Sequence, residues 1–295
     1  MENKVKTAKM KLAVFIFSML IGAHISVAGG VQNAPQNAHD IGCEVFQFFS
    51  RSPRGGKAPE LTLEIIKEFK DNLKKYNQKE CYIHAPYYIN LASSKKNIYH
   101  GSVSVLREEL ERGSKLGAKY LMTHLGSAKD IGQEKSIKQM AKGISEVLKG
   151  HAGSCQFLVE MSAGSGQIIG DTFEEIRDIF KNIKQAKKIG ICYDTAHAFE
   201  SGYDIRDKKS VKKTLDEFNK TLGLDKLKLI HLNDSKTDLG SRVDRHEHIG
   251  KGKIGLKGFS ALLSDRRLKN INLILETPAG KEMLDDVGVL KRMRK

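Results

Sequence analysis

Cysteine is scarce in this chain, and its four residues, Cys43, Cys81, Cys155 and Cys192, show no C-x-x-C spacing. That excludes a zinc knuckle and a disulfide framework. Three of the four lie in or beside apolar runs and read as reduced core thiols of a cytosolic protein. Long apolar stretches are missing too. The run Leu12 to Ile21 is short of the roughly twenty residues that a membrane span needs. No repeat of fixed period runs through the sequence, and no low-complexity linker longer than a few residues divides it. Negative charge is in deficit: 35 Asp and Glu stand against 50 Lys and Arg, a formal net charge of +15. Such an excess favours a polyanionic partner, nucleic acid above all, although a generally basic proteome would show it as well.

A hydrophobic fraction of 40% and a charged fraction of 29% suit a soluble globular protein. The length of 295 residues allows one large domain or two small ones, and single α/β barrels often run to about 250 residues. Eight short apolar runs stand out: Ile21–Ser26, Glu44–Phe49, Cys81–His84, Tyr120–His124, Gln156–Glu160, Gly190–Asp194, Leu227–His231 and Ile271–Glu276. Helical patterns lie between them at Leu61–Tyr76, Val103–Leu116, Ser136–Leu148, Phe173–Ile183 and Val211–Leu222. Continuously apolar strands alternating with helices mean parallel βαβ units, and eight of them predict a single-domain α/β fold, the (β/α)8 TIM barrel.

In that architecture the active site lies at the C-terminal ends of the strands. His84, His124, Glu160, Asp194, His231 and Glu276 each stand at or next to the end of their run. Any one of them alone could simply end its strand. Six together are poorly explained that way, because strand ends more often carry Gly, Asn, Ser or Pro. His197 follows Asp194 on the turn CYDTAH. Asp244 and His246 are two apart, so in an extended segment their side chains point the same way; a polar surface loop is the plainer reading of that stretch taken alone. The nine candidate ligands are too many for one tetrahedral zinc, and imidazole with carboxylate suits zinc or manganese, so a cluster of metals is expected.

The runs HLNDSK at 231–236, GSRVDRHEHIG at 240–250 and GKIG at 252–255 closely resemble the endonuclease IV family of abasic-site DNA repair nucleases. Further matches are IHAPYYINLAS at 83–93, THLGS at 123–127, LVEMSAGSG at 158–166, CYDTAHAFESGYDI at 192–205 and LILETP at 273–278. In order they cover the chain from Ile21 to about Pro278. The resemblance implies a zinc-dependent apurinic/apyrimidinic endonuclease, a deoxyribonuclease IV of the phage-T4-induced type, working in base excision repair. It would cut the phosphodiester 5′ to an abasic site and leave a 3′-hydroxyl and a 5′ deoxyribose phosphate. It also implies three zinc ions, with manganese as a possible substitute. His84, His124 and a bridging Glu160 would hold the first. Glu160, Asp194, His231 and Glu276 would hold the second, and His197, Asp244 and His246 the third. Glu160 and Glu276 are then the catalytic carboxylates. Tyr87 and Tyr88 would form a wedge into the duplex, Arg54 would touch the base stack, and Arg242 and Arg245 would meet phosphates. The expected partner is double-stranded DNA with abasic sites, met by a monomer in the cytoplasm at the nucleoid, with no membrane and no nucleotide cofactor.

Some features stand outside that pattern. Met161 and Ser165 replace residues common among relatives, which puts the surroundings of Glu160 in question. His24 ends the first strand and reads as a satisfied core histidine, with a place behind the metal ligands as the alternative, and His39, His100 and His151 read as surface residues. His248 has no ligand role. The segment Gly250-x-Gly252-x-x-Gly255 matches a dinucleotide fingerprint by letter but lacks the preceding strand, so it reads as a flexible loop. Residues 1–20 carry Lys9 to Lys11, an apolar run and then the small residues SVAGG, in the manner of a signal peptide. Cleavage near Ala28 would delete the first strand, so the preferred reading is an extension, or a start at Met19, ahead of a barrel spanning 21–295; secretion is the alternative. Two other functions fit the fold: a metal-dependent sugar isomerase or epimerase, and a catalytically inactive DNA-binding barrel. The first leaves Asp244-x-His246 and the +15 charge unexplained, and the second requires a broken ligand set.

Overall fold

Parallel strands covered on both faces must be apolar throughout, and the strands of this protein are buried at almost every position. The computed structural model describes residues 19–278 and 280–294. Its strands in chain order are β1 (Ile21–His24), β2 (Val45–Phe48), β3 (Cys81–His84), β4 (Tyr120–Thr123), β5 (Gln156–Glu160), β6 (Gly190–Asp194) and β7 (Leu227–His231). A two-residue pair follows, β8 (Asp234–Ser235) and β9 (His246–Glu247), and then β10 (Asn272–Leu275). Strands β1 to β7 and β10 are hydrogen-bonded in sequence order, and β1 closes the ring by pairing with both β2 and β10. The expected (β/α)8 barrel is therefore the fold. The signal-peptide-like stretch falls almost wholly outside the described residues; removal of residues through Ala28 would take β1 out of the ring.

Side-chain alternation divides the strands between two cores. Ile21, Phe46, Ile83, Leu121, Val159, Ile191, Ile230 and Leu273 join the large cluster packed with the helices. Val45, Tyr82, Met122, Leu158, Cys192, Leu229 and Ile274 form a separate cluster, which fills the barrel. Two residues beyond each of these, on the same inward face, stand Gln47, His84, His124, Glu160, Asp194, His231 and Glu276. Two residues beyond Gly22 of β1 stands His24. The apolar floor thus gives way to a polar layer at one level all round.

The helices are α1 (Ala34–Asp40), α2 (Leu63–Lys75), α3 (Lys96–Leu116), α4 (Gln133–Leu148), α5 (Phe173–Lys181), α6 (Thr195–Glu200), α7 (Lys208–Thr221), α8 (Gly255–Leu263) and α9 (Lys281–Met293). Capping explains several starts: Thr62, Thr172 and Asp207 accept hydrogen bonds from the amides of Ile65, Glu175 and Ser210. The periodicity located α2, α3, α4, α5 and α7 but not α1, α6, α8 and α9. Helix α6 is only six residues long and buried all round, so it presents no amphipathic pattern to read.

Candidate metal centre at the mouth of the barrel

Glu160 ends β5 and is fully buried. Its Oε2 lies 2.8 Å from His84 Nε2 and 3.7 Å from His124 Nε2. Its Oε1 lies 2.9 Å from His231 Nδ1, so the carboxylate reaches into two groups at once. His231 Nδ1 is also 3.1 Å from Glu276 Oε2 and 3.8 Å from Asp194 Oδ2. Three sets of ligand-type atoms come together within 4.8 Å: His84, His124 and Glu160; Glu160, Asp194, His231 and Glu276; and Asp194, His197 and His246. The first two are the groupings the resemblance implies. The third has Asp194 where the resemblance implies Asp244, and Asp244 reaches His197 Nε2 at 3.3 Å and His246 Nε2 at 3.7 Å from the half-exposed loop.

The second nitrogen of each ring shows what the first can do. His84 Nδ1 is 2.6 Å from the Ala85 carbonyl, His197 Nδ1 2.9 Å from that of Met161, and His246 Nδ1 3.1 Å from that of Glu276. A carbonyl only accepts, so in each ring Nδ1 carries the hydrogen and Nε2 is left for the cluster. His197 Nε2 and His246 Nε2 then face each other at 3.2 Å. Neither nitrogen carries a hydrogen in the neutral ring, so a proton or a metal ion must lie between them, and the pair fits a metal site that is protonated when empty. His124 Nδ1 is buried without a hydrogen-bond partner among the described residues. Because Met161 serves through its backbone, its departure from the family's usual residue leaves this contact intact.

Electrostatics agree. Burial works to raise the pKa of Glu160, but the charges of His124, His231 and His84 outweigh it and hold the carboxyl well below the usual range. Burial likewise opposes charge on His197, yet Asp194 and Asp244 raise it well above an ordinary histidine. Without metal, the cluster neutralises its carboxylates with protons, and metal uptake would release them.

Two comparisons place the chain. Residues 35–293 match a family described as a xylose isomerase-like TIM barrel. A protein of Nitrosopumilus maritimus named probable endonuclease 4 is 43% identical over 275 residues, which is 92% of this chain and 98% of the relative. The chain belongs to the endonuclease IV family. The crystal structure of endonuclease IV from Thermus thermophilus superposes with a TM-score of 0.83 at 32% identity, covering 93% of this chain and 98% of that one. A D-tagatose 3-epimerase-like protein gives 0.73 at 18% identity over 93% and 97% of the two chains, a likeness of fold alone.

Of the residues expected to meet DNA, Tyr87 and Arg245 line the cavity of about 450 Å³ that opens over the metal-type residues. Tyr87 is 68% exposed and packs edge-on against Phe49 at 5.2 Å. Tyr88 borders the 51–56 loop near Gly55. Arg54 projects from that loop into solvent. The loop's stems are fixed: Ser50 and Arg51 donate to buried Glu109, and Arg112 donates to the carbonyls of Ser50 and Pro59. Arg242 is placed differently. It takes a left-handed backbone conformation, φ 55°, and pairs with buried Asp171, so its guanidinium is already engaged.

Three expectations need correction. His24 is not a satisfied core histidine: it borders the cavity, with Nδ1 2.9 Å from Gln47 Nε2 and a buried Nε2 that has no partner among the described residues. His151 is half-buried and bonded to the Cys155 carbonyl, whereas His39 and His100 are exposed as expected. The glycine-rich 250–255 segment is not a free loop. Asp234, fully buried, accepts from the amides of Gly250, Gly252, Ile254 and Gly255. A Cβ on Gly252 would stand 2.3 Å from the Ser235 carbonyl oxygen, so this approach requires glycine. His248 acts as a strut: its Nδ1 is 2.7 Å from Asp286 of α9, and Asp286 also accepts from Thr277 and from the Ile249 amide.

Residues that sequence reading missed surround the set. Asn233 donates to Asp194 Oδ2 at 2.7 Å and accepts from the Glu276 amide at 2.7 Å. Gln47 touches Glu276 and His231. A glutamine within the apolar run VFQFF, at the level where the other strands carry ligands, was the available signal. Glu200, three residues after His197, accepts from Ser235, Thr237 and the Arg245 amide, which steadies the loop carrying Asp244.

Burial raises the Glu200 carboxyl from its ordinary 4.5 to about 7. A raised folded value contributes stability that is complete below about pH 4.5 and lost as pH rises through 7. Glu200→Gln has no such titration. Its stability relative to the parent should therefore improve by on the order of 3 kcal/mol between acid and pH 8.5. Denaturant unfolding of both proteins across that range would check it, and a constant difference would show that the carboxyl is not shifted.

Proposed function

We propose that this protein is a zinc-dependent endonuclease of DNA base excision repair. It hydrolyses the phosphodiester 5′ to an abasic site, leaving a 3′-hydroxyl and a 5′ deoxyribose phosphate. The observation that carries the reading is the convergence of imidazole nitrogens upon Glu160, Asp194 and Glu276, with the other nitrogen of His84, His197, His231 and His246 fixed on a neutral acceptor. Membership of a family whose relatives are named endonuclease 4 supports the same chemistry.

His84, His124 and Glu160 would hold one ion, and Glu160, Asp194, His231 and Glu276 a second. His197, His246 and Asp244, with Asp194 alongside, would hold a third. Zinc bound there, or manganese in its place, would supply Lewis acidity toward the phosphodiester and a water acidified near neutrality. The protein's own work is positioning. Glu276 stands at the cavity and orients the attacking water. Tyr87, with Tyr88 beside it, stacks on bases flanking the lesion, where a missing base lowers the cost of unstacking. Arg245 and Arg54 take phosphates. Arg242 keeps Asp171 as its partner and shapes the loop. The protein acts as a monomer on double-stranded DNA, in the cytoplasm at the nucleoid; among the described residues no helix is long and apolar enough to cross a membrane.

The isomerase reading shares the fold, but the third ligand set and the net charge of +15 favour DNA. An inactive DNA-binding barrel is disfavoured because all nine ligand positions are filled. Elemental analysis should find about three transition-metal ions per chain, at three to four ligands each. A nicking assay on abasic duplex should show one cut 5′ to the lesion. Affinity for that duplex should fall at least about tenfold between 50 and 200 mM salt as counterions cease to be released. One metal or none in active protein would sink the zinc count. Salt-independent binding together with turnover of a free sugar would favour the isomerase.

A further inference from the structure

We infer that Gln47 is a positioning residue that fixes which nitrogen of His231 is offered to metal and holds Glu276 in place. The inference rests on the metal-dependent reading above. Gln47 lies on β2, fully buried, at the level of the ligands on the other strands. Its Nε2 is 2.6 Å from Glu276 Oε1 and 2.9 Å from His24 Nδ1, and its Oε1 is 2.8 Å from His231 Nε2.

Only one orientation of the amide satisfies all three contacts. A carboxylate oxygen at 2.6 Å must receive a hydrogen, so the amide nitrogen faces Glu276. Its second hydrogen goes to His24 Nδ1. The amide oxygen then faces His231, and Nε2 must carry the hydrogen between them. Nδ1 is left for the cluster, where Glu160 Oε1 lies at 2.9 Å and Glu276 Oε2 at 3.1 Å. The other rings with a fixed nitrogen, His84, His197 and His246, are held by backbone carbonyls. His231 differs in being held by a side chain, so its tautomer can be changed by mutation. Gln47 is not itself a ligand here, because its oxygen is committed to His231.

Gln47→Leu keeps the volume and removes all three contacts; Gln47→Asn keeps an amide one methylene short. Zinc competition against a chelator should show one ion bound about 10- to 100-fold more weakly in either variant. The kcat for abasic duplex should fall by a similar factor with little change in KM. Nitrogen-15 spectra of the zinc-loaded parent should show His231 ligated through Nδ1 with a hydrogen on Nε2, and Gln47→Leu should lose that single pattern. Ligation through Nε2 in the parent would overturn the inference, even if neither variant folds. So would a Gln47→Leu protein that melts like the parent and keeps its zinc affinity within about threefold. A parent that binds no metal would instead defeat the functional reading and this inference with it, whereas Nε2 ligation in a zinc-loaded parent defeats the inference alone.

Discussion

Glu160→Gln should lower cleavage of abasic duplex by about a thousandfold or more, or about 4 kcal/mol of transition-state stabilisation. The side chain keeps its shape, so the loss would be electrostatic. Glu160 joins the first two ligand sets, with an oxygen turned toward His84 and the other toward His231. An amide removes a negative charge from both and presents N–H groups to nitrogens that must face a cation. Metal content should fall by about two ions, since both sets lose the group that joins them. Binding of abasic DNA should hold to within about tenfold, because Tyr87 and the basic rim are untouched. Single-turnover nicking with elemental analysis would test this. A variant with its full metal and near-parent cleavage would mean that Glu160 does not bridge.

His246→Ala should separate the third ligand set from the other two. His246 stands on β9 with Nδ1 on the Glu276 carbonyl and Nε2 facing His197. Its loss leaves His197, Asp244 and Asp194 with too few ligands for a tetrahedral ion, and about one metal in three should go. Cleavage should fall by orders of magnitude, on the expectation that this site meets charge developing on the leaving oxygen. DNA binding should fall much less. A melting curve must first show that the barrel survives. Should the variant keep its metal and its rate, the DRHEH segment is a surface loop after all.

Strand positions were legible because burial on both faces forces continuous apolar runs; β3, β5, β6 and β7 begin and end where the sequence placed them. Strand-end His, Asp and Glu were legible for the same reason, since a charge at the end of an apolar run is conspicuous. Gln47 escaped because Phe48 and Phe49 follow it in its run, while His24, which ends β1, was read as a satisfied core residue because its neighbours Gln47 and Glu276 are far off in the chain. Register around the ring, which a linear reading lacks, makes them equivalent to the ligands. Asp234 escaped for a different reason. Its four amide partners lie 16 to 21 residues away and carry no side-chain signature. Arg242 looked free because nothing in the sequence ties it to Asp171.

The ring closes only when β10 docks between β7 and β1, and Glu276 follows directly on β10. A ribosome makes β1 first and β10 last among these strands, and domains organise from the N-terminus as they emerge. For most of its synthesis the nascent chain therefore exposes unpaired strand edges and holds an incomplete ligand set. Closure joins segments more than two hundred residues apart, with Ile21 beside Leu273, a topology that folds slowly. Hydrolytic competence should thus appear abruptly and late. A partly made chain could not nick DNA, and pulse-labelled nascent chains should gain bound metal and protease resistance in the same step.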